Sequence, residues 1–202
     1  MHADSAATTA ELQEPPHRSL VAEAKLRPPH EAAELFAGHP ANVVAAALMA
    51  LNPGFAQDIL EALPAKTVAA VTDWVSPELA RQWQRNGAYS QDSIGRLMEP
   101  AYAMFRPGMT VGETIERLRA LVKVAFVTYV YVVDDQGRLC GLVTMRDLLF
   151  ADESMRLESV MLRNVFTLSP ETSLNDAMKQ VLDRHYPVYP VCDAHGTLLG
   201  LV

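Results

Sequence analysis

Thr144 and Asp147 stand three residues apart, just ahead of the apolar run Leu148-Leu149-Phe150, where a helix is expected to begin. A carboxylate at a helix start can accept two ribose hydroxyls while the neighbouring amides face phosphate. The same spacing also makes a plain helix cap, with no ligand at all. Arg146, between them, is either a phosphate partner or an exposed side chain of the first turn. Tyr129 and Tyr186 offer flat faces for stacking on a nucleobase, and core packing would use them equally well. Two acidic pairs, Asp134-Asp135 and Asp152-Glu153, have the look of cation ligands. Hard cations need several convergent oxygens, so solvated turns account better for both. Asp58 and Glu61, three apart on one helix face, either contribute to an interdomain cation site or form a solvated face. The six histidines lack ligand spacing, and there is no nucleophile–base–acid set, P-loop or GxGxxG. The chain is therefore not expected to be an enzyme.

A repeated unit positions the Thr144 and Tyr129 groups. Tyr131-Val132-Val133 is an apolar β-type run, Asp134-Asp135-Gln136-Gly137 supplies turn chemistry, and Leu139 to Val143 is a second apolar run. The pattern recurs from Tyr189 to Val202: Asp134 matches Asp193 and Gly141 matches Gly200, both 59 positions on. Upstream, Met98 matches Met161, Pro107 matches Pro170 and Thr110 matches Ser173, at an offset of 63. The first copy thus carries four more residues between its helix and its second strand. A duplicated unit of this size is expected to bury its apolar face against its twin. The expected fold class is α+β, a short all-helical N-terminal domain followed by tandem β-α-β-β-α repeats.

Along the chain, residues 1–28 have the composition of a disordered tail. Residues 30–88 read as about four short helices separated by proline-containing turns, a small solenoid-like stack. Residues 89–97 are a connector, 98–155 the first repeat and 156–202 the second. Within the first repeat, Thr110-Val-Gly-Glu113 is a capping box that opens a helix. The counterpart of Asp147 would fall near position 206, so the second repeat is expected to be truncated and the chain to be a fragment of a longer protein.

With 202 residues, half of them apolar, a net charge of −7 and no basic face, a nucleic-acid partner is not expected. No apolar run reaches the roughly 18 residues needed to cross a bilayer, and no signal peptide is present, so the fragment is expected to be soluble and cytoplasmic. Cys140 and Cys192 lie in strand-like runs without metal spacing and read as small hydrophobes of a reducing compartment.

The doubled pattern h-h-D-x-x-G-x-h-x-G-h-h-T-x-x-D over residues 98–202 resembles a pair of cystathionine-β-synthase (CBS) domains. The helical segment, the connector Asp92-Ser-Ile-Gly-Arg-Leu-Met-Glu-Pro, Gly108-Met-Thr-Val-Gly-Glu, Tyr129-Val-Tyr-Val-Val-Asp, Thr144 to Leu149 and Ala151-Asp152 resemble the cytosolic half of MgtE-type bacterial magnesium transporters. This resemblance implies a magnesium-sensing, gating region on the cytoplasmic face of the bacterial inner membrane. It also implies a CBS pair that forms a homodimer, and a channel domain C-terminal to it. Mg2+ is the implied cation, and ATP or another adenine nucleotide the implied modulator, with Tyr129 and Tyr186 at aromatic nucleotide-contact positions. The helical domain, about 60 residues, is shorter than in typical members. Acidic positions of the family fall here on Ser173, Asn175 and His185, with Glu171, Asp176 and Asp183 close by as substitutes. A freestanding CBS adenine-nucleotide sensor acting through a partner protein is the alternative.

Overall fold

The computed structural model describes residues 16–202, in two compact units that divide after Trp74. The first unit contains α1 (Pro16–Ala24), α2 (Pro29–Ala37), α3 (Ala41–Met49), α4 (Pro53–Ala62) and α5 (Ala65–Thr72). Proline has no N–H, and the first helical position needs none, so prolines set where these helices start. Pro29 and Pro53 sit at that position, while Pro40 and Pro64 immediately precede α3 and α5. Asn52 reinforces the α4 start by accepting the amide of Gly54 at 3.0 Å. Helices this short are marginal alone and are held by packing. Here α1 packs on α3, α2 on α4 and α3 on α5, the stack expected of a solenoid. Phe36, Val44, Leu48, Ile59 and Val71 are buried among small residues such as Ala32, Ala45 and Ala47 that let the helices approach closely.

The tail expected over residues 1–28 needs correction. Residues 1–15 lie outside the described residues, but Pro16–Ala24 is helical, with Leu20 and Ala24 buried. Composition suggested too little apolar surface, yet two well-placed side chains suffice when α2 and α3 are there to cover them. A second correction concerns α6 (Pro77–Asn86), expected in the helical domain and found in the second unit. Its polar side chains explain the allegiance: Asn86 Nδ2 donates to the Met98 carbonyl at 2.7 Å, Gln82 donates to Asn86 at 2.8 Å, and Arg85 donates to the Leu199 carbonyl.

The rest of the second unit is the duplicated pattern. A 3-10 turn, Ile94–Leu97, leads to β1 (Met104–Phe105), α7 (Val111–Leu121), β2 (Tyr129–Val133), β3 (Leu139–Thr144) and α8 (Met145–Phe150). Then come α9 (Leu157–Val160), α10 (Leu174–Val181), β4 (Pro190–Cys192) and β5 (Leu198–Leu201). β1 runs parallel to β2 and β2 antiparallel to β3, and β4 and β5 form the matching antiparallel pair. The strand expected at Val165 to Leu168 shrinks to a single parallel bridge, Leu168 to Val191. The Thr110–Glu113 capping box is formed in both directions.

Each copy is completed by the segment that leads into the other. Leu142 and Leu162 exchange backbone hydrogen bonds at 3.0 and 2.8 Å, and their equivalents Leu201 and Glu99 do the same at 2.9 and 2.8 Å. Val111 and Leu157 reach across to Met155 and Met109, as Ile94 and Leu174 reach to Thr172 and Asp92. At the centre, the Leu139 amide donates to Gly196 and the Leu198 amide to Gly137. Three apolar cores result. One, around Val111, Val130 and Val143, belongs to the first copy, and one, around Met98, Leu168 and Val191, to the second. The third, with Tyr131, Leu142, Cys192 and Leu198, lies between them. The twin halves cover each other's apolar faces, as the repeat led one to expect.

Candidate functional site

Thr144 caps α8: its Oγ1 accepts the amide of Asp147 at 3.1 Å and donates to Asp147 Oδ2 at 2.7 Å. The capping geometry is therefore present, and Asp147 Oδ1 remains turned toward Arg146, whose Nε lies 4.0 Å away. Arg146 is well exposed, so this contact is weak and the guanidinium is available to a phosphate. The β2–β3 register places Tyr129 directly across from Thr144. Two residues 15 apart in sequence thus become neighbours, and Tyr129, Thr144, Arg146 and Asp147 gather at one end of the first copy.

The second copy brings an aromatic set to Tyr129. Burial raises the Tyr129 phenol above its ordinary range, and the phenols of Tyr186 and Tyr189 raise it further. Tyr186 meets Tyr189 edge to face at 6.0 Å, and Tyr189 meets Phe166 likewise at 6.0 Å. Arg184 lays its guanidinium carbon 3.8 Å above Phe166, while Tyr189 donates its hydroxyl to the Arg184 carbonyl at 2.7 Å. These rings are edge-on, a favourable packing geometry rather than a parallel sandwich. Tyr186 is half exposed. Sequence reasoning named Tyr129 and Tyr186 and missed Tyr131, Phe166, Arg184 and Tyr189. The repeated Tyr-x-Tyr and Tyr-x-x-Tyr spacing was the signal within reach, but nothing in the sequence placed Phe166 beside them.

Tyr131 is the unusual member. It is 1% exposed, its ring meets Tyr129 edge to face at 6.3 Å, and its hydroxyl has no hydrogen-bond partner among the described residues. An orphaned buried hydroxyl costs about 1–3 kcal/mol. Burial drives its pKa far upward, so it is a permanent O–H donor.

The carboxylates behave differently. Asp134 Oδ1 accepts the amides of Gln136 and Arg138, each at 2.9 Å, and Asp193 Oδ1 accepts those of His195 and Thr197. Asp152 accepts both the amide and the hydroxyl of Ser154. These residues build turns, as solvated turns require. Of the acidic candidates, Asp176 accepts from Ser173 and Lys179, which hold it below the usual carboxylate range, the lysine hydrogen bond most of all. Glu171 accepts the Ser169 hydroxyl at 2.6 Å, and Asp183 is exposed. Asp58 and Glu61 stand on α4, one half-buried and one exposed. Among the described residues no three His, Cys, Asp or Glu side chains converge as a metal site, and these five do not form one.

Two β-sheet units that exchange lead-in segments, with a hydroxyl–carboxylate pair and an aromatic set beside their junction, define a duplicated α+β module. The CBS-domain model matches residues 94–154 and 157–202, over half of the chain, and the chain belongs to the CBS-domain family. Its helices followed by this pair have the MgtE-type arrangement. The chain is similar to the cytosolic domain of the Mg2+ channel MgtE in complex with ATP, at 30% identity and a TM-score of 0.76 over 93% of this chain and 77% of that one. It is also similar to the soluble part of a magnesium transporter, with a TM-score of 0.70 over 92% of this chain and 78% of that one, where 22% identity speaks for the fold alone. The magnesium transporter MgtE of Thermus thermophilus is 34% identical over 131 residues, 64% of this chain. The chain spans 29% of that transporter's length. Among the described residues no helix is long and apolar enough to cross a membrane.

Proposed function

We propose that this chain is the cytosolic regulatory region of a magnesium transporter or channel, working at the cytoplasmic face of a bacterial inner membrane. Its CBS pair binds an adenine nucleotide that modulates the response. The observation that carries this reading is the likeness, across 93% of the chain, to a cytosolic domain crystallised with ATP. Tyr129 and Tyr186 would flank the base, Asp147 would accept ribose hydroxyls beside the Thr144 cap, and Arg146 would pair with phosphate. The pair is proposed to dimerise and to be followed by a transmembrane channel domain.

Magnesium enters as the regulating cation. The residues of either unit do not complete a coordination shell for it among the described side chains, so no built cage is invoked. Instead, Asp58, Glu61, Glu171, Asp176 and Asp183 belong to acidic surfaces of a chain with net charge −7, whose mutual repulsion a divalent cation screens. Small-angle scattering tests this. The radius of gyration is expected to fall as magnesium rises through the millimolar range, and less so with sodium at equal ionic strength. A radius that ignores magnesium rejects the transporter reading and leaves a nucleotide sensor acting through a partner protein.

A further inference from the structure

We propose that the turn after α7 is a membrane-docking element that seats on an anionic phospholipid surface, with Val124 and Phe126 entering the interface and Lys123 facing the headgroups. The inference goes beyond the regulatory reading above, because a lipid surface engages neither the nucleotide contacts nor the acidic side chains.

The turn shows its apolar residues to solvent. Phe126 is 94% exposed, Val124 81% and Val122 55%, and residues Val122 to Val127 line an open hollow of about 550 Å³. Single exposed apolar side chains are ordinary, but three within five positions make a patch of the kind that another surface covers. The duplication shows that the fold does not require it. From helix cap to turn aspartate the first copy runs 24 positions, Thr110 to Asp134, and the second 20, Ser173 to Asp193. Three of the four extra residues lengthen the helix, eleven residues in α7 against eight in α10. At 1.5 Å per residue this carries the turn outward by about 4.5 Å. The second copy makes the same helix-to-strand connection with Asp183, Arg184 and His185.

Charge selects the occupant. Acidic residues outnumber basic ones 24 to 17 in the chain, yet residues 117–133 contain Arg117, Arg119 and Lys123 and no acidic residue. Arg119 shares its charge with Glu116 at 2.6 Å, while Lys123 stands exposed between Val122 and Val124. Apolar side chains interleaved with basic ones suit an anionic leaflet, where the first leave water and the second are attracted to the headgroups. A second copy suits this turn less well, because a two-fold contact would set Lys123 and Arg117 against their own like charges.

Sedimentation of the full chain with vesicles tests the proposal. At millimolar lipid the wild type is expected to pellet with phosphatidylglycerol–phosphatidylethanolamine vesicles and to stay in solution with phosphatidylcholine alone. Phe126→Ser should weaken binding to the anionic vesicles roughly tenfold, and Lys123→Gln about fivefold. Phe126→Trp should keep the binding and show a blue shift of its added emission when those vesicles are present. None of the three should move the unfolding midpoint, since both side chains are exposed. A wild type that ignores anionic vesicles, or binds both kinds equally, overturns the proposal and leaves the nucleotide and magnesium readings standing. Phe126→Ser sedimenting like the wild type overturns it too. So does a fall in light-scattering mass with Phe126→Ser, which would assign the turn to a contact between copies.

Discussion

Asp134 and Asp193 carry the same local task in the two copies, and their chemistry makes the pH dependence of the fold calculable in sign. The amide of Arg138 leads the interactions that hold Asp134 below the usual carboxylate range. Burial alone would raise Asp193, but the amides of Thr197 and His195 outweigh it and the net shift is downward. A carboxyl whose folded pKa lies below its unfolded value stabilises the protein above the unfolded pKa, near 3.9. That contribution is lost as pH falls through the folded pKa. The unfolding midpoint should therefore drop as pH is lowered from about 5 toward 2. In Asp134→Asn/Asp193→Asn, whose amide oxygens still accept the turn N–H groups, the drop should be shallower and stability at neutral pH slightly lower. An identical pH profile for the double variant would remove both aspartates from the acid response. These turns were legible in sequence because Asp and a left-handed glycine are a local signal: Gly137 and Gly196 do take φ of 79° and 80°.

At the scale of elements, what could be read locally held and what depends on distant packing did not. The capping box, the helix after Ser76 and the β2–β3 hairpin follow from neighbouring residues. The helical α1, the attachment of α6 to the second unit and the exchange of lead-in segments depend on what covers them, which no window of sequence contains. Of the site, the cap at Thr144 and Asp147 was visible, while Tyr131, Phe166 and Tyr189 acquire meaning only once the halves meet. Gly141 and Gly200 recorded the exchange without declaring it. A Cβ on Gly141 would lie 2.5 Å from the Leu162 carbonyl oxygen, and one on Gly200 would lie 2.9 Å from that of Glu99. Backbone cannot swing aside as a side-chain tip can, so each half must shift against the other. Gly141→Ala is expected to destabilise by about 2–3 kcal/mol and Gly200→Ala by about 1–2 kcal/mol in chemical denaturation. Gly108→Ala, with nothing within 4 Å, should stay within about 0.5 kcal/mol. Equal effects at all three positions would contradict the close approach.

For the second unit taken whole, the two halves are near copies whose differences matter more than their likeness. α6 seats over Leu198, Leu199, Pro100 and Ala101 and leaves a cavity of about 120 Å³. The equivalent positions Leu139, Cys140, Arg163 and Asn164 line an open cavity of about 480 Å³. The helices differ as well. Val111 on α7 is fully buried, whereas its counterpart Leu174 on α10 is exposed, and with Met178 and Leu182 it forms an apolar stripe at i, i+4 and i+8. An apolar stripe on one helix face is the mark of a surface that another surface covers, and the proposed homodimer supplies one. Met178 is 59% exposed in the single chain, so Met178→Glu disturbs no internal packing. It would, however, bury a charge in any interface formed by α10. Light scattering should give the wild type about twice the mass of the 22.2 kDa chain, and Met178→Glu the single-chain mass with an unchanged circular dichroism spectrum. A dimer that survives Met178→Glu would place the contact elsewhere, and a wild type monomeric at high concentration would end the homodimer proposal.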